Sequence, residues 1–108
     1  MFYTYILISK NSGRYYIGAT GDLKVRIFAH NHGKVRSTGS YKPWELFYFE
    51  EFFSMGQALR REKQIKKWKS RDAIRRLGEH FRILDKSRIL DFVAPKGGDK
   101  IGKIRAKV

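Results

Sequence analysis

Three short runs of β-branched and aromatic residues stand out along the chain, and each is predicted to form a strand. The first covers residues 2–8, the second covers 14–17 and is expected to end at Gly18, and the third covers 44–53. A turn cluster at 10–13 separates the first two runs, which indicates an antiparallel hairpin.

Apolar residues at helical spacing predict three helices between and after these runs. The first covers 22–31, and Gly33 follows at the position where helices often end. The second covers 54–69 and opens with Ser-Met-Gly-Gln, which matches a capping box. The third covers 70–81 and opens with a serine cap. The positions of the second helix expected to face the core are Met55, Ala58, Leu59, Ile65 and Trp68.

The predicted order of elements is β-β-α-β-α-α, which corresponds to an α+β fold with a three-stranded antiparallel sheet flanked by helices. Residues 1–82 are expected to form one domain. Residues 83–108 are expected to be a basic C-terminal extension, partly disordered, in which the apolar positions near 89–93 form at most a short element.

The composition indicates the class of protein and its cellular compartment. The chain has 108 residues, of which 42% are hydrophobic and 15% aromatic, so a folded core is expected. It has no cysteine, which excludes disulfides and thiolate metal sites and suits a reducing compartment. No apolar run reaches the length of a membrane span and no signal-peptide pattern is present, so a cytoplasmic location is expected.

Charge is unevenly distributed and favours a polyanionic partner. The chain has 24 Lys and Arg against 10 Asp and Glu, a net charge of +14. Residues 1–53 have 7 basic and 4 acidic residues, whereas residues 54–108 have 17 and 6. Nucleic acid is the partner that such an excess suits best, because each phosphate contact releases counterions. A soluble basic protein, a ribosome-bound protein and a protein on an anionic membrane are the alternatives.

One carboxylate falls on the apolar side of the second predicted helix. Glu62 lies four residues after Ala58 and three before Ile65, and a carboxylate in that position needs a cation. A salt bridge to a neighbouring basic residue is the simpler explanation, and Lys66 has the favoured spacing for it. A bound metal ion and exposure at the edge of the stripe remain alternatives.

A second group of polar residues lies on the first helix. Arg26 and His30 are four residues apart and therefore share a face, where a guanidinium and an imidazole suit a phosphate. An exposed polar face is the ordinary explanation of such a pair.

Tyrosines are common in strands, and because neighbouring strand residues point to opposite faces, Tyr15 and Tyr16 cannot both face one site.

These residues together resemble the GIY-YIG nuclease superfamily. The first motif corresponds to Tyr3-Thr4-Tyr5 and the second to Tyr16-Ile17-Gly18. Arg26 and His30 follow at the expected spacing, and residues 61–68, which include Glu62, are similar to the small stand-alone bacterial members. Relatives of those members include the N-terminal nuclease of the UvrC repair protein. The resemblance covers residues 2–80.

The resemblance implies hydrolysis of a DNA phosphodiester. Tyr16 would be the general base for the attacking water, and Arg26 would stabilise the ionised phenol and the phosphoryl oxygens. Glu62 would hold one divalent cation, Mg²⁺ or Mn²⁺, that stabilises the leaving 3′ oxygen. Tyr5 would orient water or phosphate, and His30 would be a hydrogen-bond partner or a proton shuttle.

The expected partner is DNA, with no membrane and no organic cofactor, and we expect a monomer. The length leaves no room for a separate sequence-reading domain, so structure-selective or weakly sequence-selective cleavage is predicted. A non-catalytic nucleic-acid-binding module and a ribosome-associated protein are the alternatives. The side chains predicted to contact DNA are Lys24, Lys34, Arg36, Thr38, Lys42, Arg61, Lys66 and Lys67.

Overall fold

The computed structural model describes residues 1–84, with side chains for residues 1–79. It has the predicted order of strands and helices, and the α+β class is confirmed. The elements are β1 (Phe2–Ser9), β2 (Tyr15–Thr20), α1 (Leu23–Asn31), a 3₁₀ helix (Arg36–Tyr41), β3 (Trp44–Phe52), α2 (Met55–Trp68) and α3 (Arg71–Leu84). Of the predicted extension, all but residues 83 and 84 lies outside the described residues.

The three strands form one antiparallel sheet in the order β2-β1-β3. In the β1–β2 register Tyr5 pairs with Gly18 and Leu7 with Tyr16. Because alternate strand residues share a face, Tyr5 and Tyr16 project from the same side of the sheet and Tyr15 from the other.

The prediction that β2 ends at Gly18 is wrong. The β1–β2 ladder continues through the pair Tyr3 and Thr20, so the glycine lies inside the strand. A glycine within a strand often marks a place where another group approaches the backbone closely, and Tyr5 provides that group here.

The helices cover both faces of the sheet. Thr4 Oγ1 donates a 2.7 Å hydrogen bond to the carbonyl of Ala58 in α2, whereas the next residue, Tyr5, contacts His30 in α1. Because consecutive strand residues point in opposite directions, α1 and α2 lie on opposite faces.

Two of the predicted core positions of α2 are wrong. Ala58 and Ile65 are fully buried, but Leu59 is 43% exposed and Trp68 is 38% exposed. Residues 58 and 65 are two turns apart on one stripe, and Leu59 falls to one side of that stripe. Trp68 is at the end of the helix, where its ring lies beneath the guanidinium of Arg61.

Both ends of α1 are fixed by side chains. The carboxylate of Asp22 accepts a 3.1 Å hydrogen bond from Val25 N, and Gly33 follows the helix with a φ of +70°. At the C-terminal end, Asn31 Nδ2 donates to the carbonyl of Trp44 at 2.9 Å, and Asn31 Oδ1 accepts from Trp44 N at 2.5 Å. The asparagine amide thus pairs with the first residue of β3 as a neighbouring strand would.

Residues 33–43 were predicted to be a loop, and their centre is instead a 3₁₀ helix. Tertiary hydrogen bonds hold it. Ser9 Oγ donates to the carbonyl of Tyr41 at 2.6 Å, and Trp44 Nε1 donates to the carbonyl of Thr38 at 2.9 Å. Neither contact follows from the local sequence.

Helix α2 begins with the predicted capping box, formed by Ser54 and Gln57. It ends at Lys69, which has a left-handed φ of +48°, and Ser70 caps α3 immediately afterwards by accepting a hydrogen bond from Ala73 N at 3.1 Å. Helix α3 packs against β3 and runs to Leu84, three residues beyond its predicted end. Within the described part of the chain, no helix is long and apolar enough to cross a membrane.

Candidate active site

The face of the sheet that α1 covers carries a cluster of hydrogen-bonded polar groups. Tyr5 Oη on β1 lies 3.0 Å from His30 Nε2 on α1. Arg26, one turn earlier on the same helix, donates from Nε to Tyr5 Oη at 3.4 Å. The predicted pair on the first helix therefore does share a face, and that face meets the first motif tyrosine.

Tyr16 completes this cluster from β2. Its ring centroid lies 4.6 Å from that of His30 and 6.2 Å from that of Tyr5. The hydrogen bond to Tyr5, with a smaller contribution from the neighbouring phenol of Tyr16, raises the pKa of Arg26. One guanidinium thus lies close to both motif phenols. The neighbouring Tyr15 packs on the opposite side against Phe47, with centroids 5.0 Å apart, as the strand alternation predicted.

The close approach of the two phenols requires Gly18. A Cβ atom at that position would lie 2.6 Å from Tyr5 Oη, closer than real Cβ atoms come, and 3.0 Å from Tyr16 Cε2, which is a tight contact. The glycine of the second motif therefore provides the space in which the Tyr5 hydroxyl lies.

His30 is neutral and has a defined tautomer. Its Nδ1 lies 2.8 Å from Thr38 Oγ1, and that hydroxyl donates to the carbonyl of Val35 at 3.2 Å. Since the threonine proton is used there, His30 Nδ1 carries the ring hydrogen and Nε2 accepts from Tyr5. Burial, with the nearby charge of Arg26, lowers the pKa of His30 to about 4.

Tyr5 keeps its proton for the same reason. The phenol is fully buried, and burial raises its pKa to about 12. The charge of Glu62 adds to that rise, so the carboxylate lies within electrostatic reach of the phenol although it belongs to a different helix. Tyr5 therefore donates its hydrogen to His30 and presents a lone pair to Arg26.

Glu62 fits two of the three explanations that its position in the sequence allowed, a salt bridge and a metal ligand, whereas it is not fully exposed. It forms the predicted salt bridge, with Lys66 Nζ 2.6 Å from Oε2, and its side chain is only 16% exposed. Within residues 1–79 no group of three or more His, Asp or Glu side chains could enclose a metal ion. A single carboxylate still suits Mg²⁺, which commonly uses one or two carboxylates and keeps several waters.

The predicted DNA-contacting residues divide into two groups. Six of them are exposed: Lys24, Lys34, Arg36, Lys42, Lys66 and Lys67. Thr38 does not lie on that surface, because it is 2% exposed and its hydroxyl is bonded to His30. Arg61 is partly buried, with its guanidinium bonded to both carboxylate oxygens of Glu50 at 3.0 and 3.1 Å.

The sequence indicated Thr38 as a DNA contact and did not indicate its hydrogen bond to His30. Thr38 is eight residues from His30, in a segment without helical or strand periodicity, so no pattern connects the two. Trp44 Nε1 donates a hydrogen bond to the carbonyl of Thr38. The centroid of the Trp44 ring lies 6.3 Å from that of the Tyr16 ring. Only the tertiary structure brings these groups together.

Comparison with known proteins identifies the family of the chain. Residues 1–75 match the model of the GIY-YIG catalytic domain. A UPF0213 protein of Bacillus pumilus is 37% identical over 61% of this chain and 67% of its own length. A UPF0213 protein of Staphylococcus epidermidis is 32% identical over 68% and 90%. The solution NMR structure of a UPF0213 protein from Bacillus halodurans shares 35% identity, covers 71% of this chain and 82% of its own, and has a TM-score of 0.45. The chain belongs to the GIY-YIG catalytic domain family of nucleases.

Proposed function

We propose that this protein is a divalent-metal-dependent endonuclease that hydrolyses DNA phosphodiester bonds with structure-selective or weakly sequence-selective cleavage. One observation carries the proposal. Tyr5, Tyr16, Arg26 and His30 come from three separate elements and meet in one cluster, and the charge of Glu62 reaches that cluster from a fourth element. Binding of DNA alone would need only the basic surface.

Tyr16 is the general base in this proposal. It lies beside Arg26, whose guanidinium also donates to the other motif phenol, Tyr5. The same guanidinium stabilises the negative charge that develops on the phosphoryl oxygens. The proton of the attacking water goes to the phenolate oxygen of Tyr16 as the new bond to phosphorus forms. The bond between phosphorus and the 3′ oxygen breaks, and the 3′ oxygen takes a proton from water.

Tyr5 and His30 position the other groups. Because the Tyr5 hydroxyl donates a hydrogen bond to His30 and keeps its proton, its oxygen remains an acceptor that orients Arg26 and a water molecule. The resemblance allows two roles for His30, a hydrogen-bond partner or a proton shuttle. The low pKa of His30 favours the role of a neutral hydrogen-bond partner.

Glu62 is the residue that would hold Mg²⁺ or Mn²⁺. Once bound, such an ion supplies Lewis-acid stabilisation of the leaving 3′ oxygen. Without such an ion, Arg26 alone would have to stabilise the negative charge on the oxygens of the pentavalent transition state. The exposed lysines among the predicted DNA-contacting residues would contact the DNA backbone and make binding strongly salt-dependent.

Nicking of supercoiled plasmid by the purified chain tests the proposal. We expect nicking with Mg²⁺ that stops when EDTA is added, and losses of at least 100-fold in Glu62→Gln and Arg26→Gln, as expected when a group that stabilises charge in the transition state is removed. Glu79→Gln is the matched control, because Glu79 is also paired with a cation at i,i+4 spacing but lies on α3. Binding without nicking by the wild type would instead support the non-catalytic module.

A further inference from the structure

A cavity of about 450 Å³ opens at the end of the sheet where β2 begins. The 3₁₀ helix lines one side, and the turn between α2 and α3 lines the other. Tyr16 and Thr38 belong to its wall, and both contact His30. Because β2 is an edge strand, the cavity extends around that edge and Tyr15 lines it from the other face of the sheet. The cavity therefore adjoins the candidate active site, and its volume falls within the range of about 300–1,000 Å³ typical of ligand pockets.

Two layers of arginine and tyrosine line this cavity. The guanidinium carbon of Arg14 lies 4.5 Å from the ring centroid of Tyr41, and that of Arg71 lies 4.8 Å from the ring centroid of Tyr15. Arg71 is also held by a 3.0 Å hydrogen bond to the carbonyl of Gly13. Guanidinium planes and phenol rings both stack with nucleobases, so the layers form a prepared platform for one.

The cavity also carries unbalanced positive charge. Arg14, Lys69 and Arg71 are among the residues that line it, and none of the residues that line it is an acid. The ion pairs of the described residues involve other cations; on α3, for example, Arg75 is paired with both Asp72 and Glu79. A ligand with a phosphate and an aromatic base would match both the charge and the stacking surfaces.

The left-handed backbone conformation of Lys69 positions the cationic side chains that follow α2 at the cavity. Because one residue with φ of +48° ends α2, α3 begins without a longer loop, and Lys69 and Arg71 both reach the cavity. A lysine is an unusual residue for this conformation, which glycine adopts more easily. The presence of lysine at this position is explained if its ammonium group binds a ligand.

We propose that this cavity binds an unpaired nucleotide of the DNA, next to the phosphodiester that faces Tyr16. A paired base is covered on both faces by its neighbours and cannot enter, whereas an unpaired base can stack on the two arginine–tyrosine layers. The inference rests on the proposed nuclease function and specifies it further: the preferred substrates are those with a flap, gap or loop beside the cleaved bond.

Fluorescence anisotropy in EDTA tests this without cleavage. The probes are a fully paired duplex and the same duplex with a short unpaired flap. We expect the wild type to bind the flap probe roughly tenfold more tightly, the size of effect that stacking of one base gives. Arg71→Gln should remove most of that difference. Arg75→Gln is the matched control, since it removes the same charge from the same helix and should weaken both probes equally.

Lys69→Gly separates binding from folding. It keeps the left-handed backbone and removes the ammonium, so the flap preference should fall while the unfolding temperature does not. Iododeoxyuridine at the unpaired position should crosslink to Tyr15 or Tyr41. Equal affinity of the wild type for both probes, or crosslinks only outside the cavity, would overturn the inference.

The outcomes also separate this inference from the proposed function. Flap preference that depends on Arg71, without any nicking in Mg²⁺, would retain the nucleotide site and reject the nuclease. Efficient nicking with no flap preference would retain the nuclease and reject the nucleotide site.

Discussion

His30 Nδ1 lies 2.8 Å from the hydroxyl of Thr38, and this contact determines which imidazole nitrogen carries the hydrogen. Nε2 is thereby left as the acceptor for Tyr5, whose own oxygen then orients Arg26. A buried threonine outside the family motifs thus controls a chain of hydrogen bonds that ends at the guanidinium.

Thr38→Val should disrupt that chain while keeping the shape of the side chain. It leaves the N–H of His30 buried without a partner, which costs about 1–3 kcal/mol of unfolding free energy. We also expect nicking to fall at least tenfold, because His30 can then adopt the other tautomer. Urea unfolding and plasmid nicking measure the two effects. Thr38→Ser keeps the hydroxyl and should retain most of the activity; equal losses in both variants would contradict the role of the hydroxyl.

Gly18→Ala should displace the first motif tyrosine. The added Cβ would meet Tyr5 Oη at 2.6 Å and Cζ at 2.7 Å, so the phenol must move away from His30. We expect nicking to fall at least tenfold, with a loss of about 1–3 kcal/mol in stability. Gly21→Ala is the control, since its Cβ would meet Phe2 at an ordinary 3.5 Å. Full activity in Gly18→Ala would show that the position of the Tyr5 hydroxyl is unimportant.

The pH dependence of stability should reveal the buried imidazole. Burial lowers the pKa of His30 to about 4, so the unfolded chain takes up a proton at higher pH than the folded chain does. The contribution of His30 to the free energy of unfolding is fully present above about pH 6.5, the pKa of histidine in the unfolded chain. This contribution is lost as pH falls towards 4.

Urea unfolding at pH 7 and at pH 4.5 measures this effect. The wild type should lose about 2–3 kcal/mol more than His30→Gln does over that interval, because carboxylates titrate in both proteins and cancel in the comparison. Parallel losses in the two proteins would mean that His30 is solvated or charged in the folded state.

Gly78→Ala should weaken the docking of α3. The added Cβ would lie 2.0 Å from Phe47 Cε2, and the Phe47 ring is buried, so it has little room to move. We expect a net loss of about 1–3 kcal/mol. Gly56→Ala is the counterpart on α2, where the nearest atom is Ser54 Oγ at 3.9 Å, and it should gain up to about 1 kcal/mol of helix propensity. Thermal unfolding of both variants checks the contrast.

The sequence predicted those features that depend on periodicity and local capping. The apolar runs, the start of the first helix at Asp22 and the capping box at Ser54 all depend on a few neighbouring residues, and the structure confirms each of them. The position of Glu62 on the sheet-facing side of α2 was also correct, because Ala58 and Ile65 define that side.

Features that depend on distant contacts were missed. Gly18 was taken as the end of β2 because glycine is uncommon within strands, whereas pairing with β1 extends the strand past it. The 3₁₀ helix is held by Ser9 and Trp44, and no local pattern shows that these residues reach it. Thr38 was assigned to the DNA surface for the same reason.

The amide of Asn31 pairs with Trp44 as a strand would, while Asp22 caps the opposite end of the same helix. Arg26 and His30 lie between these two attachments, so the helix cannot rotate or slide without breaking one of them. A scissile phosphate would then meet groups that already have their reactive orientation. Little conformational entropy would remain for this helix to lose on binding DNA, so the reorganisation of Arg26 and His30 would take little from the free energy of association.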